Sequence, residues 1–132
     1  AAQLKTVEDI MLVGKKIPFV SEKMRMKRAI NILSEKKLGI LIVKNKENKT
    51  IGIITDGQIR RYNEKYSNMH IKKTKEIMTK NPISVEKNIL AAKALSIMNN
   101  KQITSLCVHE KKNKNKTVGV LHIHNILRSN IS

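Results

Sequence analysis

The sequence predicts an α+β fold built from two copies of one β-α-β-β-α unit. The first observation behind this is a duplication. Val7-Glu8-Asp9-Ile10-Met11 returns as Thr74-Lys75-Glu76-Ile77-Met78, and Ile51-Gly52-Ile53-Ile54-Thr55 returns as Val118-Gly119-Val120-Leu121-His122. The second is its spacing: Met11 to Met78 and Gly52 to Gly119 both span 67 positions, whereas Ala29 to Ala94 and Val43 to Val108 span 65. Each copy therefore carries a small indel of its own, as repeated structural units do. The third is that each copy alternates helical spacing with short apolar runs. Two units too small to bury a good core alone are expected to pack on each other and leave clefts between them.

Each element follows in order. The segments ending in Ile10-Met11 and Ile77-Met78 read as single helical turns that open the copies. Ile17-Pro18-Phe19-Val20 is a short strand, with proline suited to a strand start or an edge. Met26, Ala29, Ile30 and Leu33 fall at i, i+3, i+4 and i+7 of a helix, and Ala91, Ala94, Leu95 and Met98 repeat that face. These read as core residues and not as a cofactor box. Leu38–Val43 and Ile103–Val108 are apolar runs of strand length, each followed by a lysine-rich turn (Lys44–Lys49, Lys111–Lys116). The β-branched strands Ile51–Thr55 and Val118–His122 come next, and the last helices begin at Asp56 and near Ile123. The repeats thus cover 7–66 and 74–130, joined by a polar linker at 67–73.

Composition narrows the function classes. Phe19, Tyr62 and Tyr66 are the only aromatics among 132 residues, so the core is aliphatic and methionine-rich. A formal charge of +17 creates a field that draws in phosphate compounds, nucleic acid or anionic lipid. The lysines are spread along the chain, however, and aromatic rings for stacking bases are nearly absent, which argues against a nucleic-acid partner. No apolar run approaches the roughly 20 residues of a membrane span, so no membrane partner is expected. The lone Cys107, between Leu106 and Val108, reads as a buried strand residue and fits a reducing, cytoplasmic compartment. The start at Ala-Ala-Gln-Leu, without methionine, suggests a fragment of a longer protein.

The chemistry is expected where a strand runs into a helix: Gly52-Ile-Ile-Thr-Asp-Gly-Gln58 in one copy and Gly119-Val-Leu-His-Ile-His-Asn125 in the other. Such a junction offers free backbone N–H groups and a favourable dipole to an anion. A polar residue three positions into the helix can bond a ribose, while Thr55 or Asp56 can equally serve as a plain N-cap. His122 and His124 would share a face if the strand ran on through 124. Two ligands are too few for a closed metal site, and His70 and His109 fall in polar stretches, so no metal is expected. Paired carboxylates, a Gly-rich phosphate loop and a nucleophile with its base are all missing, so catalysis by this chain is not expected.

From Val7 to Arg128 the chain resembles a tandem CBS-domain pair, a regulatory module that binds adenosyl nucleotides. Asp9-Ile10-Met11 and Glu76-Ile77-Met78 match the family's Asp/Glu-Ile/Val-Met openings, and Asn81-Pro82-Ile83-Ser84-Val85 matches its first strand. The junctions correspond to its closing Gly-x-x-Thr/Ser-x-x-Asp. Thr55-Asp56-Gly57-Gln58-Ile59-Arg60-Arg61 and the run from Gly119 to Arg128 further resemble the CBS pair of bacterial D-arabinose-5-phosphate isomerases.

That resemblance implies two repeats packed as a pseudo-twofold pair, a homodimer, and an upstream sugar-isomerase (SIS) domain. The implied reaction interconverts ribulose 5-phosphate and arabinose 5-phosphate for lipopolysaccharide or capsule synthesis. It implies a regulatory adenine or cytidine nucleotide, or a sugar phosphate, between the repeats. Thr55, Asp56 and Gln58 would form one half-site and His122, His124 and Asn125 the other, with Ile17, Pro18, Asn81 and Pro82 as walls and backbone contacts. The sequence departs from the family at the ribose-binding acids, here Gln58 and Asn125, and at the Thr/Ser position of the second copy, here His122. An amide cannot accept from both ribose hydroxyls as an ionised Asp does. The alternatives are a structural dimerisation module with a degenerate cleft and a basic nucleic-acid-binding module.

Overall fold

A computed structural model describes residues 5–129. Its elements are α1 (Val7–Ile10), β1 (Phe19–Ser21), α2 (Met26–Lys36), β2 (Ile40–Lys44), β3 (Thr50–Thr55), α3 (Asp56–Lys65), α4 (Thr74–Ile77), β4 (Ser84–Glu86), α5 (Ala91–Lys101), β5 (Ser105–Glu110), β6 (Asn113–His122) and α6 (Ile123–Arg128). The α+β class and its duplication are as the sequence predicts. Two three-stranded sheets form, ordered β1-β2-β3 and β4-β5-β6. In each, the first pair is parallel and the second antiparallel. A parallel pair needs a crossover, which α2 and α5 supply. Their predicted apolar faces are buried at Met26, Ala29 and Leu33, and at Ala91, Ala94 and Met98. Among the described residues no helix is long and apolar enough to cross a membrane.

The chain divides into two compact units that do not follow the sequence period. One is Pro18–Pro82; the other joins the residues through Ile17 to those from Ile83 onward. The opening turn of each copy thus belongs to the unit built on the other copy. Val7 N and Glu8 N donate to the carbonyls of Ile89 and Lys87 (both 2.9 Å), and Leu12 pairs with Val120 in both directions (2.8 and 3.0 Å). In the other unit Thr74 N and Lys75 N donate to the carbonyls of Met24 and Glu22 (2.8 and 3.1 Å), and Thr79 pairs with Ile53 (2.8 and 3.0 Å).

These bridges cross the last strands at their glycines. A Cβ at Gly52 would lie 2.7 Å from both Met78 Sδ and the Thr79 carbonyl oxygen, and one at Gly119 would collide with Met11. The two motifs that repeat at 67 positions are therefore the two halves of one contact, Met11 on Gly119 and Met78 on Gly52. The acid of each opening motif caps its turn: Thr6 N donates to Asp9 and Lys73 N to Glu76, both at 2.8 Å. Those bonds hold both carboxyls below their usual range.

Several expectations need correction. The first strand begins at Phe19, not Ile17, because Ile17 ends a 3-10 turn over Gly14–Lys16. Its counterpart begins at Ser84 after Asn81, which is left-handed at φ 52°. The lysine-rich stretch 111–116 is mostly strand. Glu110 pairs with Asn113 across a turn at Lys111-Lys112, so β6 takes in Lys114 and Lys116, whose side chains stay in solvent. His109 lies in β5 and is 4% exposed, not in a polar stretch. The linker 67–73 is anchored, since Met69 is 3% exposed and packs in the core of the Pro18–Pro82 unit.

Candidate functional site at the strand-to-helix junctions

At the first junction β3 ends in extended backbone at Thr55 (φ −117°, ψ 159°), and its hydroxyl Oγ1 accepts from Gln58 N at 3.2 Å. Thr55, not Asp56, is therefore the N-cap. Asp56 N donates to the Gly39 carbonyl at 3.2 Å. Two of the first three N–H donors of α3 are thus already taken, which leaves less of the expected anion hook. Gln58 Nε2 donates to the carbonyl of Ile77, the last residue of α4, while Gln58 Oε1 is buried without a hydrogen-bond partner.

Two arginines that the sequence reading passed over complete this junction. A Cβ at Gly57 would lie 3.1 Å from Arg61 Nη1 and 3.7 Å from Arg60 Nη2, so both guanidinium groups fold back over the bare glycine. The signal was there, because arginines three and four positions after a glycine share its helix face. Asp56 is exposed and borders a cavity of about 380 Å³ lined also by Ile30, Leu33, Ser34, Lys37, Gly39 and Ile59.

The second junction closes on itself. His122 Nδ1 accepts from His124 N at 3.1 Å, Asn125 Oδ1 accepts from His122 N at 2.8 Å, and Ile123 N donates to the Thr104 carbonyl at 2.8 Å. An Nδ1 that accepts carries no proton, so the neutral His122 ring keeps its hydrogen on Nε2 and presents a donor there. Burial lowers the His122 pKa, and the charges on His124 and Arg128 lower it further. The strand stops at His122, so His124 sits in α6, and the two rings stack at 4.8 Å and 27°. Among the described residues no group of three or more His, Cys, Asp or Glu is placed to hold a metal ion.

The remaining candidates divide between the two units. Pro18 is buried and its carbonyl accepts from Ile42 N at 2.9 Å; with exposed Asn81 and half-buried Pro82 it belongs to the unit of the first junction. Ile17, 7% exposed, belongs to the unit of the second. Cys107 is 2% exposed, and burial pushes its thiol up to about 12, as its strand setting led us to expect.

Comparison with known proteins bears on this geometry. The sequence model of the CBS domain matches residues 7–65 and 75–131. An uncharacterized protein of Rickettsia prowazekii, RP505, is 37% identical over 99% of this chain. The arabinose 5-phosphate isomerase KdsD of Yersinia pestis is 33% identical over 97% of it. The chain spans 40% and 38% of the lengths of these two proteins. Among solved structures, CBSX2 in complex with AMP superimposes with a TM-score of 0.78 at 21% identity, covering 94% of each chain.

Proposed function

Because the chain belongs to the CBS-domain family in both of its copies, we propose that it is the regulatory CBS pair of a sugar-phosphate isomerase. The observation that carries this reading is the similarity to KdsD along 97% of the chain. In this reading an upstream SIS domain interconverts ribulose 5-phosphate and arabinose 5-phosphate in the cytoplasm, for lipopolysaccharide or capsule synthesis. The pair associates as a homodimer and biases that domain by binding a phosphorylated nucleoside. Ligand binding can do so only through different affinities for two arrangements of the module.

Within the pair, we place the ligand at the first junction. Gln58 Oε1 is a buried acceptor without a partner, so a ribose hydroxyl that donates to it removes an existing penalty. Arg60 and Arg61 over Gly57 supply the charge-assisted donors a phosphate needs. At the second junction the corresponding Asn125 Oδ1 and His122 Nδ1 are both occupied by the helix's own N–H groups.

A thermal-shift titration at moderate salt tests this reading, with AMP, ATP, CMP, CMP-Kdo and arabinose 5-phosphate against inorganic phosphate as the charge control. A ligand at about 100 times its dissociation constant stabilises by about 2.7 kcal/mol, or roughly 5–10 °C for a chain of this size. The expected result is one compound moving the melt well beyond phosphate. Equal shifts from all, or none from any, would instead mark a structural dimerisation module.

A further inference from the structure

We propose that Gln58 is a latch that fixes the strap Thr74–Thr79 to the first junction, so that whatever occupies the junction sets the mobility of the strap. The inference rests on the ligand placement argued above, but the latch itself is a property of the free protein. The strap is attached to the Pro18–Pro82 unit at three places. At its start, Thr74 N and Lys75 N donate to the carbonyls of Met24 (2.8 Å) and Glu22 (3.1 Å), and Thr74 Oγ1 to the Ser21 carbonyl (2.6 Å). At its end, Thr79 and Ile53 exchange two backbone bonds. Between them the hydrogen-bonded attachment is a side chain: Gln58 Nε2 holds the carbonyl of Ile77, whose own side chain is buried in the core of the unit. That carbonyl ends α4, where the chain leaves the helix and supplies no N–H of its own to it.

The same amide faces two ways. Nε2 is committed to the strap, and Oε1 is buried and without a partner. A hydroxyl donating to Oε1 polarises the amide and strengthens Nε2 as a donor, because linked hydrogen bonds reinforce one another. Occupancy therefore tightens the strap and does not compete with it. Among the described residues the second copy shows no such device. Asn125 is one methylene shorter and its Oδ1 accepts from His122 N within its own helix start.

Hydrogen exchange on the full chain tests the latch. In the ligand-free protein, Gln58→Met keeps the side-chain length but removes the donor, and Gln58→Glu replaces the donor with an acceptor. Each should speed exchange at the Met78 and Thr79 amides roughly fivefold, with α2 unchanged. Asn125→Asp should leave residues 7–12 as they were. No acceleration in the strap, or acceleration spread equally through α2, would overturn the latch. Adding AMP to the wild-type chain then tests the coupling, with the melting shift read in parallel. Slower strap exchange alongside a raised melt supports it. A raised melt with unchanged strap exchange overturns the coupling and leaves the ligand placement standing. If AMP raises no melt, ATP and CMP take its place in turn; if none of the three raises it, the ligand placement fails, and the ligand-free comparison alone decides the latch.

Discussion

Three residues into α3, the first copy carries Gln58, whose amide reaches out to the Ile77 carbonyl; at the same place in α6, the second copy carries Asn125, whose amide turns back to His122 N. The cap before each differs too, a Thr55 hydroxyl in one and a His122 ring nitrogen in the other. A longer side chain reaches beyond its own helix, while Asn is short enough to satisfy its own helix start. The second copy has thereby spent on its helix cap the polar atoms that the first copy keeps for another segment and for an unpartnered, buried acceptor. Duplication preserved the scaffold and let the two junctions diverge in chemistry.

The largest effects should come where the copies agree. Gly52→Ala and Gly119→Ala each drive a Cβ into a methionine and close to a backbone carbonyl, of Thr79 in one case and Leu12 in the other. Each should cost about 2–3 kcal/mol, as overpacking against backbone does, and lower the melting temperature by roughly 6–12 °C. Similar losses are expected at both glycines. A loss at only one would mean that the lacing is not truly duplicated.

Smaller effects should separate the junctions. Asn125→Ala removes the acceptor from His122 N and should cost about 1 kcal/mol in a urea melt, the usual worth of a helix cap. Acidification should act on the second copy. His122 and His109 both have pKa values below the ordinary 6.5, chiefly through burial; at His109, Lys114 lowers it further and Glu86 opposes the shift. The folded state binds their protons less readily than the unfolded chain. Their contribution to stability is therefore full above 6.5 and is lost as the pH falls through the folded values. His122→Asn, which keeps a good cap but cannot titrate, should reduce the loss of stability between pH 7 and 5 without abolishing it, because His109 remains. An unchanged pH profile in that variant would show that the cap plays no part in it.

The smallest signal concerns Cys107. With its thiol pushed up to about 12 and almost no exposure, it should react with a disulfide probe only as fast as the chain unfolds. Rapid labelling of the native chain would contradict its place in β5.

Periodicity made most of the fold legible. The faces of α2 and α5, the strand runs and both junctions follow from local spacing. What sequence could not give was partnership. Gln58 bonds a residue 19 positions on, in a segment that the repeat assigns to the other copy. Nothing local reveals that the opening turns cross between units, although the shared 67-residue spacing of methionine and glycine is a trace of it. His109 and Met69 were misread because polar neighbours suggested loops. A pairing at Glu110–Asn113 and a 3-10 turn over Met69–Ile71 bury them instead.

Calorimetric titration of the chain with whichever of AMP, ATP and CMP raises its melt most, at salt high enough to suppress the general positive field, tests the asymmetry most directly. The account predicts a single binding event per chain that survives Asn125→Ala and is lost in Gln58→Met. Two equivalent events per chain, or one abolished by Asn125→Ala and retained in Gln58→Met, would contradict it.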